Sequence, residues 1–75
     1  MKISIVLEGY LKYKYNSDIL ELSYSKPVII YKVLEDAKIS SADIFFIKIE
    51  DLLVRENYII RESCKIKLFP IIGGG

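Results

Sequence analysis

Few residues of this chain have the means to do chemistry. Three of its four glycines stand together as Gly73-Gly74-Gly75, the last three positions of the 75-residue sequence. Glycine loses more entropy on ordering than any other residue, so a run of three adds nothing to a fold. Its advantage is narrowness: without a Cβ, the backbone can lie against a ligand or thread a tunnel. A terminal α-carboxyl titrates at about 3.3–3.7 and is ionised at neutral pH. On a slim arm, such a carboxylate can attack the α-phosphate of ATP. The acyl-adenylate that results is open to sulfur or another nucleophile. Glycine runs also occur as cloning scars and frayed ends. Three features separate this one from those: it follows an apolar strand with no polar linker, the element order points independently to one fold, and no other candidate chemistry competes.

The competing residues are quickly read. Cys64 is the single cysteine, and there is no histidine. One cysteine forms no intrachain disulfide, and without histidine no zinc or thiolate–imidazole site is recognisable. A thioester or persulfide relay at Cys64 lacks a histidine to lower the thiol pKa, although Arg61 and Lys65 are near in sequence. A partly buried structural thiol is the favoured reading. The carboxylates Glu8, Asp18, Glu21, Glu35, Asp36, Glu50, Asp51, Glu56 and Glu62 are scattered, several beside turns, and read as solvated surface. Tyr10-Leu11-Lys12-Tyr13-Lys14-Tyr15 interleaves rings with ammonium groups, as single-strand nucleic-acid binders do. The alternative is a twisted edge strand or loop whose lysines discourage edge pairing. Eleven basic and ten acidic residues leave a net charge of +1, which favours that alternative and argues against a coat for nucleic acid or acidic lipid. The apolar run Ile3–Leu7 stops at Glu8, short of a secretory h-region or a membrane span. A cytoplasmic protein with neither nucleic-acid nor membrane partner is expected.

The elements that must position the glycine arm follow from periodicity. Ile3, Ile5 and Leu7 alternate with Lys2, Ser4 and Glu8, which predicts a half-buried strand over 2–8, with Val6 placing an apolar side chain on the other face. Asn16-Ser17-Asp18 predicts a turn. Leu20, Leu22 and Tyr24 alternate in a second strand, close enough to form a hairpin with the first. Ser25-Lys26-Pro27 reads as a helix start, with Ser25 as cap and proline in the first turn. Ile30, Val33, Leu34 and Ala37 fall on one helical face, and the helix is expected to end near Ile39. Ile44–Ile49 reads as a strongly buried strand, Glu50-Asp51 as a tight turn, and Leu52–Val54 as a short strand. Tyr58–Ile60 is a short apolar piece, Arg61-Glu62-Ser63 a turn, and 65–69 a last strand. The expectation is an α+β chain of order β-β-α-β-β-β, a mixed sheet of four to five strands packed on one main helix. Residues 1–69 form the domain and 70–75 a flexible tail.

This order is that of the β-grasp, or ubiquitin-like, architecture. At Leu68-Phe69-Pro70-Ile71-Ile72-Gly73-Gly74-Gly75 the chain resembles the C-terminus of the ThiS/MoaD family of sulfur carriers, which end in an aromatic, often a proline, a few small or apolar residues and Gly-Gly. Counted from Phe69, the family's glycine pair falls on Gly74 and Gly75, and Gly73 stands where the family often has alanine. The chain departs from the family in lacking a glycine in the turn before the last strand and in carrying Glu50-Asp51 where many members have Asn-Gly. The resemblance implies a substrate and sulfur donor rather than a catalyst. A ThiF/MoeB-like adenylating enzyme, using ATP and magnesium, would activate Gly75. A persulfide donor would convert it to a thiocarboxylate for thiamin thiazole or molybdopterin/tungstopterin synthesis. Thiazole synthase or the large subunit of molybdopterin synthase would receive it. This chain would then be a carrier, or the small subunit of a molybdopterin-type synthase, with no cofactor bound. Gly74, Gly73, Ile72 and Ile71 would enter partner tunnels, and Pro70, Phe69 and Val6 would dock. A small RNA- or protein-binding module with an incidental glycine tail is the reading outside this class.

Overall fold

The computed structural model describes residues 1–72. Its main sheet has five strands. β1 (Lys2–Leu7) pairs antiparallel with β2 (Ile19–Ser23) and parallel with the last strand, β7 (Cys64–Pro70). On its other side β7 pairs antiparallel with β4 (Ile44–Ile49), which pairs with the short β5 (Leu52–Val54). The order is β2-β1-β7-β4-β5. The chain's last strand therefore lies mid-sheet, and whatever follows it leaves from the centre of one end.

Alternation assigns the two faces. Ile3, Ile5 and Leu7 of β1, and Ile66 and Leu68 of β7, are buried. They pack with Ile47 and Val54 against helix α2 (Ile30–Asp36), whose buried stripe is Ile30, Val33 and Leu34. This is the helical face expected from the spacing, with Ala37 packed at its edge. Each such side chain contributes about 1.5–3 kcal/mol relative to an exposed one. The opposite face of the sheet is left uncovered.

The helix starts later than Ser25-Lys26-Pro27 suggests. Val28–Ile29 is a short strand, β3, paired with β6 (Ile59–Ile60) in a separate two-stranded ladder. No side chain caps α2. The Ile30 and Tyr31 N–H groups donate instead to the carbonyls of Tyr58 and Glu56. A long-range partner thus does the work expected of a local cap. At the other end, Lys38 adopts φ +60, its N–H bonds Glu35 O, and the Ile39 N–H reaches back to Leu34 O. That is a Schellman ending, with buried Ile39 folding over buried Leu34.

Two more expectations are corrected. The Tyr/Lys segment is neither an edge strand nor an irregular loop: Leu11–Lys14 is a single helical turn, α1, anchored by buried Leu11. It ends as α2 does, with Asn16 at φ +54 and the Ser17 N–H on Lys12 O. β4 is a strand, but not a strongly buried one. Only Ile47 is fully inside, and Phe45 is 69% exposed where the register against β7 shifts. The expected turn at Glu50-Asp51 is present, with Glu50 at φ +56. No helix among the described residues is long and apolar enough to cross a membrane.

Candidate functional site

The end of β7 is where the sequence reading places the chemistry. Gly73, Gly74 and Gly75 lie outside the described residues, so the site is built from what holds the strand that leads to them. β7 extends one residue past the expected strand at each end and so includes Pro70, which pairs with Ile44. A terminal proline is compatible with a strand end, where its missing N–H removes no ladder bond. Pro70 continues the alternation of Ile66 and Leu68, so its ring faces the core side and is buried. Against it lies Gly9, at φ +57; a Cβ there would stand 2.9 Å from Pro70 Cγ. The Glu8 N–H donates to Leu68 O at 3.0 Å, tying the same loop to β7.

The other flank is polar. Tyr15, just past α1, donates its hydroxyl proton to Asp43 at 2.5 Å and accepts the Ser40 N–H at 3.0 Å. Lys14 Nζ bonds the second carboxylate oxygen of Asp43 at 2.8 Å. Asp43 closes the 3-10 turn Ser41–Asp43, which begins with Ser40 Oγ accepting the Ala42 N–H. The Asp43 carbonyl accepts the Ile71 N–H at 3.4 Å. One aspartate thus links α1, the turn before β4, and the first residue beyond β7. Its carboxylate is 15% exposed and is held below the usual carboxylate range, by the Lys14 bond first and the Tyr15 bond second. Tyr15 is pushed up, chiefly by burial and then by its bond to Asp43. Beyond this clamp Ile71 and Ile72 are exposed.

Val6 and Phe69, expected to dock a partner, both lie on the uncovered face and are half-buried. Phe69 stacks on Phe46 of β4, with ring centroids 4.5 Å apart and planes 13° from parallel. Ile19 pairs with Val6 from β2 and is exposed. Four lysines share this face by alternation: Lys2 on β1, Lys65 and Lys67 on β7, and Lys48, which pairs with Lys67. The exit of β7 is therefore bordered by an apolar surface flanked by these four lysines, with Glu21 beside Ser4 as a carboxylate on the same face. Pro70 does not join Val6 and Phe69; it turns to the other side.

Asp43 and Tyr15 are the residues sequence reasoning missed. Nothing local marks them, since their contact spans 28 positions. The same contact bears on the Tyr/Lys segment: Tyr15 and Lys14 are committed to Asp43, which leaves Tyr10, Lys12 and Tyr13 to face outward. Cys64 is half-buried at the start of β7, and burial, then Glu62 and Glu50, push its thiol up. A raised thiol pKa is the reverse of what a reactive thiolate needs. Among the remaining carboxylates, Asp36 accepts the Tyr24 hydroxyl at 2.7 Å and pairs with Lys32 at 3.2 Å, and its pKa is lowered by those two contacts. This ties the end of β2 to α2 and lies on the helix side of the molecule.

A mixed sheet with parallel first and last strands side by side, one main helix across one face, and the chain leaving from mid-sheet defines the class: this is a β-grasp domain. Two solved structures share it over their full length. SAMP1 from Haloferax volcanii superposes with a TM-score of 0.75 at 11% identity, covering 100% of both chains. A putative molybdopterin converting factor, subunit 1, from Pyrococcus furiosus superposes with a TM-score of 0.74 at 10% identity, covering 96% of this chain and 99% of its own. No family model and no curated protein sequence matches the chain. The likeness is one of fold.

Proposed function

We propose that this protein is a ubiquitin-like sulfur carrier whose working group is the α-carboxylate of Gly75. The observation that carries the proposal is a conjunction. A glycine run begins three residues beyond the end of the central strand of a β-grasp sheet, and one neighbour of that fold is described as a molybdopterin converting factor subunit. In this reading a partner of ThiF/MoeB type binds ATP and magnesium, and the Gly75 carboxylate displaces pyrophosphate to form an acyl-adenylate. Persulfide sulfur then displaces AMP, and a thiol reduces the acyl disulfide to the thiocarboxylate. The protein itself supplies presentation rather than catalysis. Its central strand sets the direction of departure, the Gly9–Pro70 contact and the Asp43 clamp hold that strand end, and Gly73 and Gly74 keep the arm thin.

Val6, Phe69 and the Phe46 ring stacked on it form the docking surface in this proposal, and the surrounding lysines favour a partner with an acidic rim. The acceptor is a pterin-synthase large subunit or a thiazole synthase; the neighbour's description favours the former. Removing Gly75 tests the role of the arm. The shortened chain should unfold at the same temperature as the parent yet form no adenylate with ATP and an activating enzyme that charges the parent. A shortened chain that is still charged, or one that no longer folds, would contradict the proposal.

A further inference from the structure

The outer edge of the sheet carries a second surface, separate from the glycine arm. β5 pairs only with Ile47–Ile49, so the side of Ile44–Phe46 turned away from β7 has no strand partner. β4 is irregular there, with the register shift falling between Ile44 and Phe46. A groove of about 650 Å³ runs along this edge, lined by Ile44, Phe45, Phe46 and Leu53 and by the cations Lys48 and Arg55. Phe45 and Leu53 are 69% and 62% exposed. Phe45 meets Phe46 edge-on at 5.5 Å, and Phe46 is itself stacked on Phe69, so the exposed ring rests on a fixed support.

Bare strand edges with apolar flanks invite pairing, and proteins ordinarily cover or charge them. Here the charge is predominantly positive, two cations against one carboxylate. Neither Lys48 nor Arg55 is in an ion pair among the described residues. The groove's single carboxylate, Glu56, is bonded to the Ser41 hydroxyl. A second copy of this chain is a poor occupant, because an isologous contact would bring the two cationic grooves together. Main-chain groups on the edge, apolar sites for alternate side chains, and unpaired cations for carboxylates together describe β-strand addition. We propose that this edge binds an extended segment of a partner protein in which apolar and acidic residues alternate, as a strand added beside Ile44–Phe46. The proposal does not depend on the carrier reading.

The probe is an end-blocked hexapeptide of alternating valine and glutamate, titrated into the isotope-labelled full chain and followed by amide chemical shifts. Saturable shifts are expected at residues 44–48 and 53–55. A valine–lysine peptide should bind about tenfold more weakly or worse. Phe45→Ser, at an exposed position, should keep the dispersed spectrum and weaken binding by about tenfold. Reversing both cations (Lys48→Glu with Arg55→Glu) should invert the peptide preference, and deleting Gly75 should change nothing. The proposal is overturned by no saturable binding at millimolar peptide, by equal binding of the two peptides, or by shifts centred on Val6 and Phe69 or on β2. It is also overturned by self-association that Phe45→Ser abolishes, which would make a second copy the occupant.

Discussion

Gly9→Ala tests the packing at the strand end most sharply. Gly9 sits at φ +57, where an L side chain costs about 1–2 kcal/mol. The new methyl would also lie 2.9 Å from Pro70 Cγ and 3.3 Å from Cδ. Repuckering can move Cγ only slightly and leaves Cδ in place, and Pro70 is held in the ladder against Ile44. Relief then requires a shift of the loop or the strand, a kind of overpacking that costs about 1–3 kcal/mol. The two together amount to about 2–5 kcal/mol, against a total of about 4–11 kcal/mol for a domain of this size. At about 4–8 °C per kcal/mol, the melting temperature should fall by about 10 °C or more. Urea unfolding followed by circular dichroism should show a lower midpoint at unchanged slope. A cycle with Pro70→Ala separates the causes: removing the ring should recover about 1–3 kcal/mol of the Gly9→Ala loss as coupling. A loss under about 1 kcal/mol, or a strictly additive cycle, would refute the claimed contact.

Three further outcomes follow. Tyr15→Phe leaves the Ser40 N–H without its acceptor and Asp43 one donor short, and should cost about 1–2 kcal/mol in the same urea assay. Asp43 and Asp36 titrate lower folded than unfolded, so their stabilisation is complete above the unfolded carboxylate value of about 3.9 and is lost as pH falls through the folded values. The double variant Asp43→Asn with Asp36→Asn should flatten that acid decline, and an unchanged slope would show that these contacts do not govern it. Lys38→Gly, at the left-handed position ending α2, should raise stability by up to about 1 kcal/mol, measured as a higher urea midpoint.

The parts of the fold that were legible in the sequence are those governed by local periodicity. Alternation at Ile3, Ile5 and Leu7 marked a strand with one buried face, and the spacing of Ile30, Val33, Leu34 and Ala37 marked the helix face. The parts that were not legible depend on distant partners. Pro27 after Ser25 has the form of a helix start, yet Val28–Ile29 finds Ile59–Ile60 and remains extended. Tyr and Lys alternate from Tyr10 to Tyr15, but buried Leu11 and the Asp43 bond make that stretch a helical turn. The β-branched and aromatic run Ile44–Ile49 has the composition of an inner strand; the brevity of β5 leaves half of it without a second strand partner, and Phe45 is exposed at the register shift. Neither helix ends in glycine. Asn16 and Lys38 take the left-handed positions. Of the site, the arm and its adjoining aromatic were visible as a motif, whereas the Tyr15–Asp43 clamp arises only from the folded chain.

The central claim is that the chain carries sulfur on its last glycine. The most direct measurement is intact-protein mass spectrometry after incubation with ATP, magnesium, an adenylating enzyme of the ThiF/MoeB type, and a persulfide donor with thiol. The account predicts a mass gain equal to the exchange of one oxygen for one sulfur, localised by fragmentation to Gly75 and dependent on ATP. An unchanged mass under conditions that convert an established carrier, or sulfur found on Cys64 with Gly75 unmodified, would contradict it.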